Sequence, residues 1–453
     1  MAARKGALLS MEPISKNAPL SLAEIETALA CLVGYEPIVL AVSGGPDSLA
    51  LLFLAAEWQK RRANPPQILV ATVDHGLRAE SAAEAEFTAA RSARLGLPHT
   101  ALKWVYRDKP LSGLAEAARR ARYELLEHYA ATLEPGIRTA VVTAHTEDDQ
   151  AETFLMRLAR GSGVDGLAAM SPARPLSGGS KIALVRPFLG VPKTRLAASL
   201  EVRGETWCND PSNTNDAYER VRIRNAAPAL KAAGVDVSAI ARSARRLQNA
   251  RDALDYAAMQ FEEQLHLASN NNIFASFDRR QFARGPRLLR ERVIADLIGR
   301  HGGTTPPPGL LEIEALVMEL ERRDEAMMTL GGAVVSAGPR QVRIWREAGR
   351  ISEGDLQLSP GVPSLWDNRF WVTADLESAG PVSVRALGAA GCKLLKGTAG
   401  TFDQVPGRAA AALPAFWSGG GLLAVPQLGV KKITEGGNGT FVSTAVRERE
   451  KPL

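Results

Sequence analysis

The stretch from Ile38 to Leu52 constrains the fold of this chain more than any other. It reads IVLAVSGGPDSLALL: a short run of branched apolar residues, a glycine-rich break, and then apolar residues at helical spacing. The apolar run over 38–42 is typical of a buried parallel strand. The stretch therefore predicts a strand, a tight turn and a helix in immediate succession.

The turn of this unit is Ser43-Gly44-Gly45-Pro46-Asp47-Ser48. Glycines let the backbone approach a ligand closely, and N–H groups at a helix start can hold an anion, so the turn predicts a phosphate site. No Gly-Lys-Ser/Thr follows, and no lysine lies nearby in sequence, which excludes a Walker A loop. Asp47 stands in that place, and a carboxylate beside phosphate requires a cation. We predict Mg-nucleotide binding with Asp47 as a metal ligand; a plain capped turn would not explain the whole hexapeptide.

Composition narrows the class of protein. The 453 residues are 45% hydrophobic, enough for two or three domains. Lys and Arg exceed Asp and Glu by 55 to 49, which allows a polyanionic partner without establishing one. The three cysteines Cys31, Cys208 and Cys392 form no Cys-x-x-Cys pair, so neither a disulfide framework nor a zinc site is supported. No run of eighteen apolar residues occurs, and we expect a cytoplasmic chain without a membrane span.

Strands and helices alternate over the first half of the chain. The predicted strands cover 38–42, 67–73, 99–105, 139–143 and 181–186. This alternation predicts an α/β fold, a parallel sheet with helices on both faces. Ligands of such sheets bind beyond the carboxyl ends of the strands. Polar motifs at 43–48, 74–78 and 145–152 directly follow strands, so we expect them to share one pocket.

Acidic residues begin the helix after the fourth strand. Asp148 and Glu152 are four residues apart and Asp149 and Glu152 three, so they share a helix face. Acids at a helix start are also the ordinary pattern that the helix dipole favours. The candidate catalytic residues are Asp47, Asp148, Asp149 and Glu152, and Asp148, or alternatively Glu152, is a second candidate metal ligand. The candidate nucleotide contacts are Ser43, Gly44, Gly45, Pro46, Asp47, Ser48, Asp74 and His75.

The Ser-Gly-Gly-x-Asp-Ser turn after a buried strand resembles the PP-loop ATP pyrophosphatase family, with its adenine nucleotide alpha hydrolase-like fold. Further motifs look like those of tRNA(Ile)-lysidine synthetases. They are Val73-Asp74-His75-Gly76-Leu77-Arg78, the run from Ala118 to Tyr123, His145-x-x-Asp148-Asp149-Gln150-x-Glu152-Thr153, Arg160-Gly161-Ser162-Gly163, and Asp210-Pro211-Ser212-Asn213 followed by Arg220 and Arg224. Cys208-Asn209 departs from the family, which commonly has an acidic residue before Asp-Pro-Ser-Asn.

The resemblance implies a ligase that uses ATP and Mg²⁺. ATP would adenylate the C2 carbonyl oxygen of the wobble cytidine in an isoleucine tRNA with a CAU anticodon, and the amine of free L-lysine would displace AMP. The product, lysidine, changes codon reading from AUG to AUA. The tRNA contacts that it implies are Arg119, Arg122, Arg160, Arg220 and Arg224. Two alternatives stay open, another PP-loop tRNA-modifying enzyme such as a thiolase, and a noncatalytic tRNA-binding protein that kept an ATP fold.

Four segments are expected: a flexible lead-in (1–19), the ATP-binding catalytic domain (20–230), a helical domain (231–325), and a small β-rich α+β C-terminal domain (326–453). Apolar residues repeat every seven positions from Ile240 to Phe261, which predicts a long amphipathic helix over 236–267. Its exposed face is either merely solvated or, as the resemblance implies, a tRNA contact. The arginines concerned are Arg242, Arg245 and Arg246.

Other segments carry weaker patterns. The alternating arginines of 218–225 fit one solvated strand face or a set of phosphate contacts. The runs 329–335 and 341–347 each predict a strand, and no chemistry is assigned beyond 350. The oligomeric state is open, a homodimer included.

Overall fold

The structure is a computed structural model. It describes residues 17–76, 80–105, 114–133, 138–177, 180–208, 216–269, 273–304, 307–352, 354–374, 381–396, 405–431 and 442–446. The chain divides into two compact units, Met1–Asn249 and Ala250–Leu453, and each is described by itself. The four-segment division that the sequence predicts stays a prediction.

The first unit begins with helix α1 (Leu22–Leu29), which starts at a capping box. The Glu24 N–H donates to Ser21 Oγ at 3.4 Å, and the Ser21 N–H donates to Glu24 Oε2 at 2.9 Å. The Glu24 carboxylate also accepts from Arg195 Nη1 and Nη2 at 2.7 and 2.9 Å. That guanidinium lowers the pKa of Glu24 to about 2, so this carboxylate is fully engaged in structure.

The other helices of this unit and its strands follow one another as the hydrophobic pattern predicts. The helices are α2 (Pro46–Lys60), α3 (Glu80–Leu95), α4 (Leu114–Thr132), α5 (Glu147–Ala159), α6 (Val164–Leu167), α7 (Lys193–Glu201), α8 (Glu219–Ala232) and α9 (Val237–Gln264), within which the division between units falls. The strands are β1 (Ile38–Ala41), β2 (Ile68–Asp74), β3 (His99–Lys103), β4 (Ala140–Val142), β5 (Ala173–Pro175) and β6 (Ala183–Val185).

The six strands form one sheet in the order β3-β2-β1-β4-β6-β5. All neighbours pair in parallel except β5, which runs antiparallel to β6. Ile38 of the central strand β1 is in register with Ile68 and Ala140. The mainly parallel sheet that the sequence predicted is therefore confirmed, and the carboxyl ends of β2, β1, β4 and β6 meet at one edge.

Strand β1 is buried on both faces because helices cover both sides of the sheet. Alternate residues of a strand point to opposite faces. Leu40 packs in one cluster with Leu49 and Leu196, which belong to α2 and α7. Val39 packs in another cluster with Leu126 of α4. The sheet edge that carries the polar motifs is thus held between rigid layers.

The second unit is richer in strands. Its helices after α9 are α10 (Arg279–Arg284), α11 (Arg287–Gly302), α12 (Leu310–Arg322), α13 (Gly388–Leu395) and α14 (Gly407–Ala410). Its strands are β7 (Ala268–Ser269), β8 (Phe274–Asp278), β9 (Ala326–Leu330), β10 (Ala333–Ala337), β11 (Gln341–Arg346), β12 (Leu356–Gln357), β13 (Ser364–Trp366), β14 (Phe370–Ala374), β15 (Val382–Ala386), β16 (Pro414–Ser418), β17 (Gly421–Val425), β18 (Val430–Lys431) and β19 (Val442–Val446).

These strands form three sheets, ordered β7-β8-β11-β10-β9, β12-β15-β16-β17-β18 and β13-β14-β19. The sheet β7-β8-β11-β10-β9 joins strands from both sides of residue 325, where the sequence predicts a domain boundary. Across the described ranges, no helix combines the length and apolar character that crossing a membrane requires.

Two local predictions were wrong. The alternating arginines of 218–225 lie in helix α8, not in a strand, because a period of two over so few residues does not outweigh the helix-favouring residues that follow. The run 329–335 is a hairpin of β9 and β10, with Leu330 paired to Ala333. Gly331 and Gly332 form its two-residue turn with φ of 56° and 75°, which a non-glycine residue adopts only with strain.

A buried ion network ties parts of the second unit together. The side chains of Arg346, Asp367 and Arg369 are each about 4% exposed or less. Asp367 accepts from Arg346 Nε and Nη2 at 2.8 and 2.6 Å and from Arg369 Nε at 2.7 Å. The remaining Arg346 donors bond backbone carbonyls, among them Gly332 O at 2.8 Å. We call these three residues the Asp367 network, in which Asp367 and every nitrogen of Arg346 have a partner.

Candidate active site

The predicted phosphate loop joins β1 to α2. Gly44 has φ of +85°, and the Ser43 N–H donates to Ser48 Oγ at 3.1 Å. Ser48 Oγ in turn donates to Gly45 O at 3.0 Å, which closes the turn. Gly45 caps α2 without any side-chain hydrogen bond. The first N–H groups of α2 are therefore not capped by a side chain, as an anion site requires.

A later part of the chain fixes the loop from behind. The Cys208 N–H donates to Gly44 O at 3.0 Å. A Cβ atom on Gly44 would lie 3.4 Å from Cys208 Sγ, and the left-handed backbone at Gly44 adds strain for any other residue. Glycine is thus favoured here by the left-handed backbone conformation. The Asp210–Asn213 motif that follows lies outside the described residues.

Asp74 and His75 follow β2 at the same edge. Asp74 Oδ1 accepts from the Ser81 hydroxyl at 2.5 Å and the Gly76 N–H at 2.9 Å, and these bonds lower the pKa of Asp74. Burial, with the nearby charge of Arg122, lowers the pKa of His75 to about 4. His75 is therefore neutral at pH 7. The rest of this motif, Leu77 and Arg78, lies outside the described residues.

The three candidate acids of α5 have different environments. Asp148 Oδ2 accepts from the Lys193 backbone N–H at 2.8 Å. Asp149 Oδ2 accepts from the Thr146 N–H at 2.9 Å and the Thr146 hydroxyl at 3.0 Å, a capping box that begins α5. Glu152 Oε1 accepts from Arg224 Nε at 2.9 Å, while Oε2 is buried and finds no partner in the part of the chain that the structure describes. Burial raises the pKa of Glu152 although Arg224 opposes it.

Asp47 faces Lys193, which was not among the predicted site residues. Lys193 Nζ lies 3.0 Å from Asp47 Oδ2, whereas Asp47 Oδ1 is buried and has no hydrogen-bond partner among the described residues. Burial raises the pKa of Asp47 to about 6; Lys193 lowers it, and Asp149 and Asp148 raise it further. One signal could have found Lys193. It begins the helix after β6, just as Asp47 and Asp148 lie in the first turns of the helices after β1 and β4.

A cavity of about 140 Å³ adjoins these residues. Charged side chains line one part of it, the carboxylates of Asp148 and Glu152 and the cations of Lys193 and Arg224. The rest is mostly apolar, with Leu155 of α5, Ile223 of α8 and Ile240 of α9. The cavity suits a small ligand with an aliphatic stem and charged ends.

Several predicted arginines surround His145. Burial lowers the pKa of His145 to about 3; Asp149 opposes this, and the charges of Arg186, Arg119 and Arg220 add to it. Arg122 Nη2 lies 3.3 Å from His75 Nε2. The structure thus brings arginines of α4 and α8 to the edge that carries the loop.

The remaining predicted arginines lie elsewhere on the first unit. Arg160 follows α5 and pairs with Glu219. Arg242, Arg245 and Arg246 are exposed on α9 and make no hydrogen bond or ion pair with any residue that the structure describes. Their assignment as tRNA contacts, like the other site assignments, stays a prediction.

Comparison with known proteins decides the family. A family model described as a PP-loop domain matches residues 21–230. A tRNA(Ile)-lysidine synthase of Bradyrhizobium sp. strain BTAi1 is 41% identical over 345 residues, which are 72% of this chain and 94% of that protein. The protein of the same name from Ruegeria pomeroyi is 38% identical over 393 residues, 86% of this chain and 88% of that protein. The chain belongs to the tRNA(Ile)-lysidine synthase family.

Membership of this synthase family confirms the resemblance that the motifs indicated. The PP-loop match covers all six strands of the six-stranded sheet, so this sheet belongs to the ATP-binding domain. Among solved structures, a U34-tRNA thiolase NcsA from Methanococcus maripaludis with its [4Fe-4S] cluster is similar with a TM-score of 0.42 and 16% identity. That similarity covers 50% of this chain and 77% of the thiolase chain.

The side chains at this site supply only some of the ligands that Mg²⁺ needs. Within the described ranges, no three or more His, Cys, Asp or Glu side chains are grouped to hold a metal. Mg²⁺ in nucleotide sites commonly takes one or two carboxylates and completes its shell with water and phosphate. Asp47 Oδ1 has no hydrogen-bond partner among the described residues, and burial, with a smaller contribution from Asp149 and Asp148, raises the pKa of Asp47, so this oxygen matches such a ligand. The residues present therefore fit a cation that arrives with a nucleotide.

Proposed function

We propose that this synthase ligates free L-lysine to C2 of the wobble cytidine of an isoleucine tRNA with a CAU anticodon, using ATP. One observation supports the proposal most directly. Lys193 lines a cavity whose charges and apolar wall suit lysine, and its ammonium group forms an ion pair with Asp47 in the first turn of α2. A site for ATP and a site for a small amine therefore lie side by side.

The loop holds the phosphates. N–H groups at the start of α2 donate to phosphate oxygens, and the positive end of the helix dipole favours their charge. Asp47 and Asp148 are the residues that would hold Mg²⁺. When bound, Mg²⁺ would neutralise phosphate charge and make the phosphorus more electrophilic.

The cavity receives lysine. Apolar residues such as Leu155 and Ile240 contact its methylene stem. The carboxylate of Glu152, with Oε2 buried and partnerless, holds an ammonium group of lysine. The guanidinium of Arg224 is placed to pair with the carboxylate of the substrate. Both charged ends of lysine thereby gain partners that compensate for lost hydration.

The tRNA presents an unpaired base. Sequence-specific RNA recognition uses single-stranded loops whose bases can leave the stack, and an anticodon is such a loop. Arginines near His145, on α4 and α8, carry the positive charge that attracts the RNA backbone. The wobble base is thus drawn to the edge where the loop binds ATP.

The chemistry has two displacements. The C2 carbonyl oxygen of the cytidine attacks the α-phosphorus of ATP, and the α–β phosphoanhydride bond breaks to release pyrophosphate. A neutral amine of lysine then attacks C2, the C2–oxygen bond breaks, AMP leaves with that oxygen, and the new nitrogen loses a proton. Adenylation thereby turns a poor leaving oxygen into a good one.

The order of these steps provides the test. ATP and tRNA without lysine should yield pyrophosphate and an adenylated RNA, and lysine added afterwards should release AMP. An enzyme that activated the lysine carboxylate would instead exchange pyrophosphate into ATP when given lysine alone. Robust lysine-dependent exchange without tRNA would contradict the proposed mechanism, and no pyrophosphate release with all three substrates would contradict catalysis.

A further inference from the structure

The phosphate loop has no lysine of its own, but the fold brings one to it. Lys193 Nζ lies 3.0 Å from Asp47 Oδ2. Its backbone N–H donates to Asp148 Oδ2 at 2.8 Å. One residue of α7 therefore contacts acids from the two helices that follow β1 and β4.

Three helices direct their N-termini at this place. Helices α2, α5 and α7 have 15, 13 and 9 residues, and each begins after a strand whose carboxyl end lies at the same sheet edge. The N-terminus of a helix carries partial positive charge. The ammonium of Lys193 adds a full charge to these dipoles, which together favour a polyanion.

The ion pair differs from the other ion pairs of the described residues in its cation, not in its exposure. Its side chains are 40% and 20% exposed, and exposed pairs add little to stability. Of the ion pairs formed within the described ranges, this one alone uses a lysine; the others, such as Arg195 with Glu24, use arginine. A lysine is a mobile point charge with three donors, so it can contact Asp47 and a ligand at once.

We propose that Lys193 is a ligand of the β- and γ-phosphates of ATP, the part that leaves as pyrophosphate. Asp47 stands where a Walker loop carries its phosphate-binding lysine, and the ammonium of Lys193 is directly beside it. The fold thus supplies from α7 the cation that the loop sequence lacks. The inference rests on the proposed function only for ATP as the substrate.

The test measures nucleotide binding by calorimetry on the full chain, without tRNA or lysine, in Mg²⁺ and again in excess EDTA. In Lys193→Met the Kd of ATP should rise about 10- to 100-fold, the range of a lost charge-assisted hydrogen bond. The Kd values of AMP and adenosine should change less than about twofold. Lys193→Arg should restore part of the ATP affinity, because it keeps the charge.

The matched control is Lys181→Met. Lys181 is exposed at the other end of β6, so this change removes the same charge without touching the loop. It should leave all three Kd values unchanged. Equal weakening of ATP, AMP and adenosine in Lys193→Met would overturn the proposal, since it would indicate general damage to the site.

Two further outcomes would also overturn it. If the ratio of the Kd values of ATP and AMP stayed constant in Lys193→Met and only the KM for lysine rose, Lys193 would bind the carboxylate of the lysine substrate instead. If Lys193→Met weakened ATP binding when Asp47 is present but had no effect in a chain that also carries Asp47→Asn, Lys193 would act only by neutralising Asp47. Because binding is measured without tRNA, a failure of tRNA adenylation would leave this result interpretable.

Discussion

Two charged sites, one in each unit, bury charge in opposite ways. In the Asp367 network of the second unit, the carboxylate accepts three hydrogen bonds from two arginines, and every nitrogen of Arg346 has a partner. At the sheet edge of the first unit, Asp47 Oδ1 and Glu152 Oε2 are buried with none. The comparison separates charge that holds a fold together from charge that waits for a ligand, because an unpaired buried charge persists only where something else compensates it.

The largest expected effect removes charge from the active site. Asp47→Asn should lower the rate of tRNA adenylation at least about a thousandfold, since a phosphate-site cation is worth several kcal/mol in the transition state. The chain should still fold and bind tRNA. Pyrophosphate release and tRNA binding are the measurements, with Asp324→Asn, at an exposed position, as the control. Full activity of Asp47→Asn in Mg²⁺ would show that Asp47 is no metal ligand.

Next in size is the change that breaks the Asp367 network. Asp367→Ala leaves two buried arginines without their shared carboxylate and should lower the free energy of unfolding by about 3 to 5 kcal/mol. Urea unfolding followed by tryptophan fluorescence measures it. Asp355→Ala is the control, because Asp355 is 49% exposed and lies 3.6 Å from Arg385, a pair worth less than about 1 kcal/mol. Equal losses in the two variants would remove the distinction between the regions.

A third prediction concerns the pH dependence of the free energy of unfolding. A buried carboxylate with a raised pKa and a paired carboxylate with a lowered pKa change this free energy in opposite directions as pH rises. The pKa of Asp47 is raised from 3.8 to about 6, mainly by burial, so the folded chain binds the extra proton and stability falls as pH rises from about 4 to 6. The pKa of Glu24 is lowered from 4.5 to about 2, mainly by Arg195. There the unfolded chain binds the extra proton, so stability is lost as pH falls from about 4.5 toward 2.

Over its pH range, each of these changes in the free energy of unfolding amounts to at most about 3 kcal/mol, because one unit of pKa shift corresponds to about 1.36 kcal/mol. Asp47→Asn should abolish the first change, and Glu24→Gln the second. The free energy of unfolding measured at half-unit steps from pH 3 to 8 tests both. If the free energies of unfolding of Asp47→Asn and wild type changed in parallel between pH 4 and 6, the prediction that folding raises the pKa of Asp47 would be wrong.

The smallest effect concerns exposed arginines. Replacing Arg242, Arg245 and Arg246 with glutamine should weaken binding of all tRNAs and reduce the salt slope by about two to three, because each phosphate contact releases counterions. The control is Arg322→Gln with Arg323→Gln, whose arginines already pair with Glu319. Kd measured between 50 and 300 mM salt gives the slopes. An unchanged slope would return the α9 arginines to a solvated face.

Much of the first unit was predictable because it depends on short-range patterns. Alternating apolar runs gave the strands and helices, and parallel topology alone placed the loop, Asp74 and Asp148 at one edge. The role of Asp149 was missed although Thr146-x-x-Asp149 is a capping pattern, because the usual residue at that position is Glu or Gln. Lys193 was missed for a different reason. Its place at the start of the helix after β6 indicates the same sheet edge, but its contact with Asp47 depends on how α7 packs against α2.

The second unit was less predictable for the same reason. Its buried charges meet across long stretches of chain, as Arg346 meets Asp367 and Arg369 meets the carbonyl of Ala412. In the sequence, nothing distinguishes these residues from the many other charged residues. Only tertiary packing distinguishes such a buried pair from a solvated one.

The hydrogen bond from the Cys208 N–H to Gly44 O also has a consequence in time. The two residues are more than 160 positions apart, and a ribosome adds about 5 to 20 residues each second. Gly44 therefore leaves the ribosome roughly ten to thirty seconds before its partner exists. During that interval the nascent chain lacks the hydrogen bond that fixes the loop at Gly44.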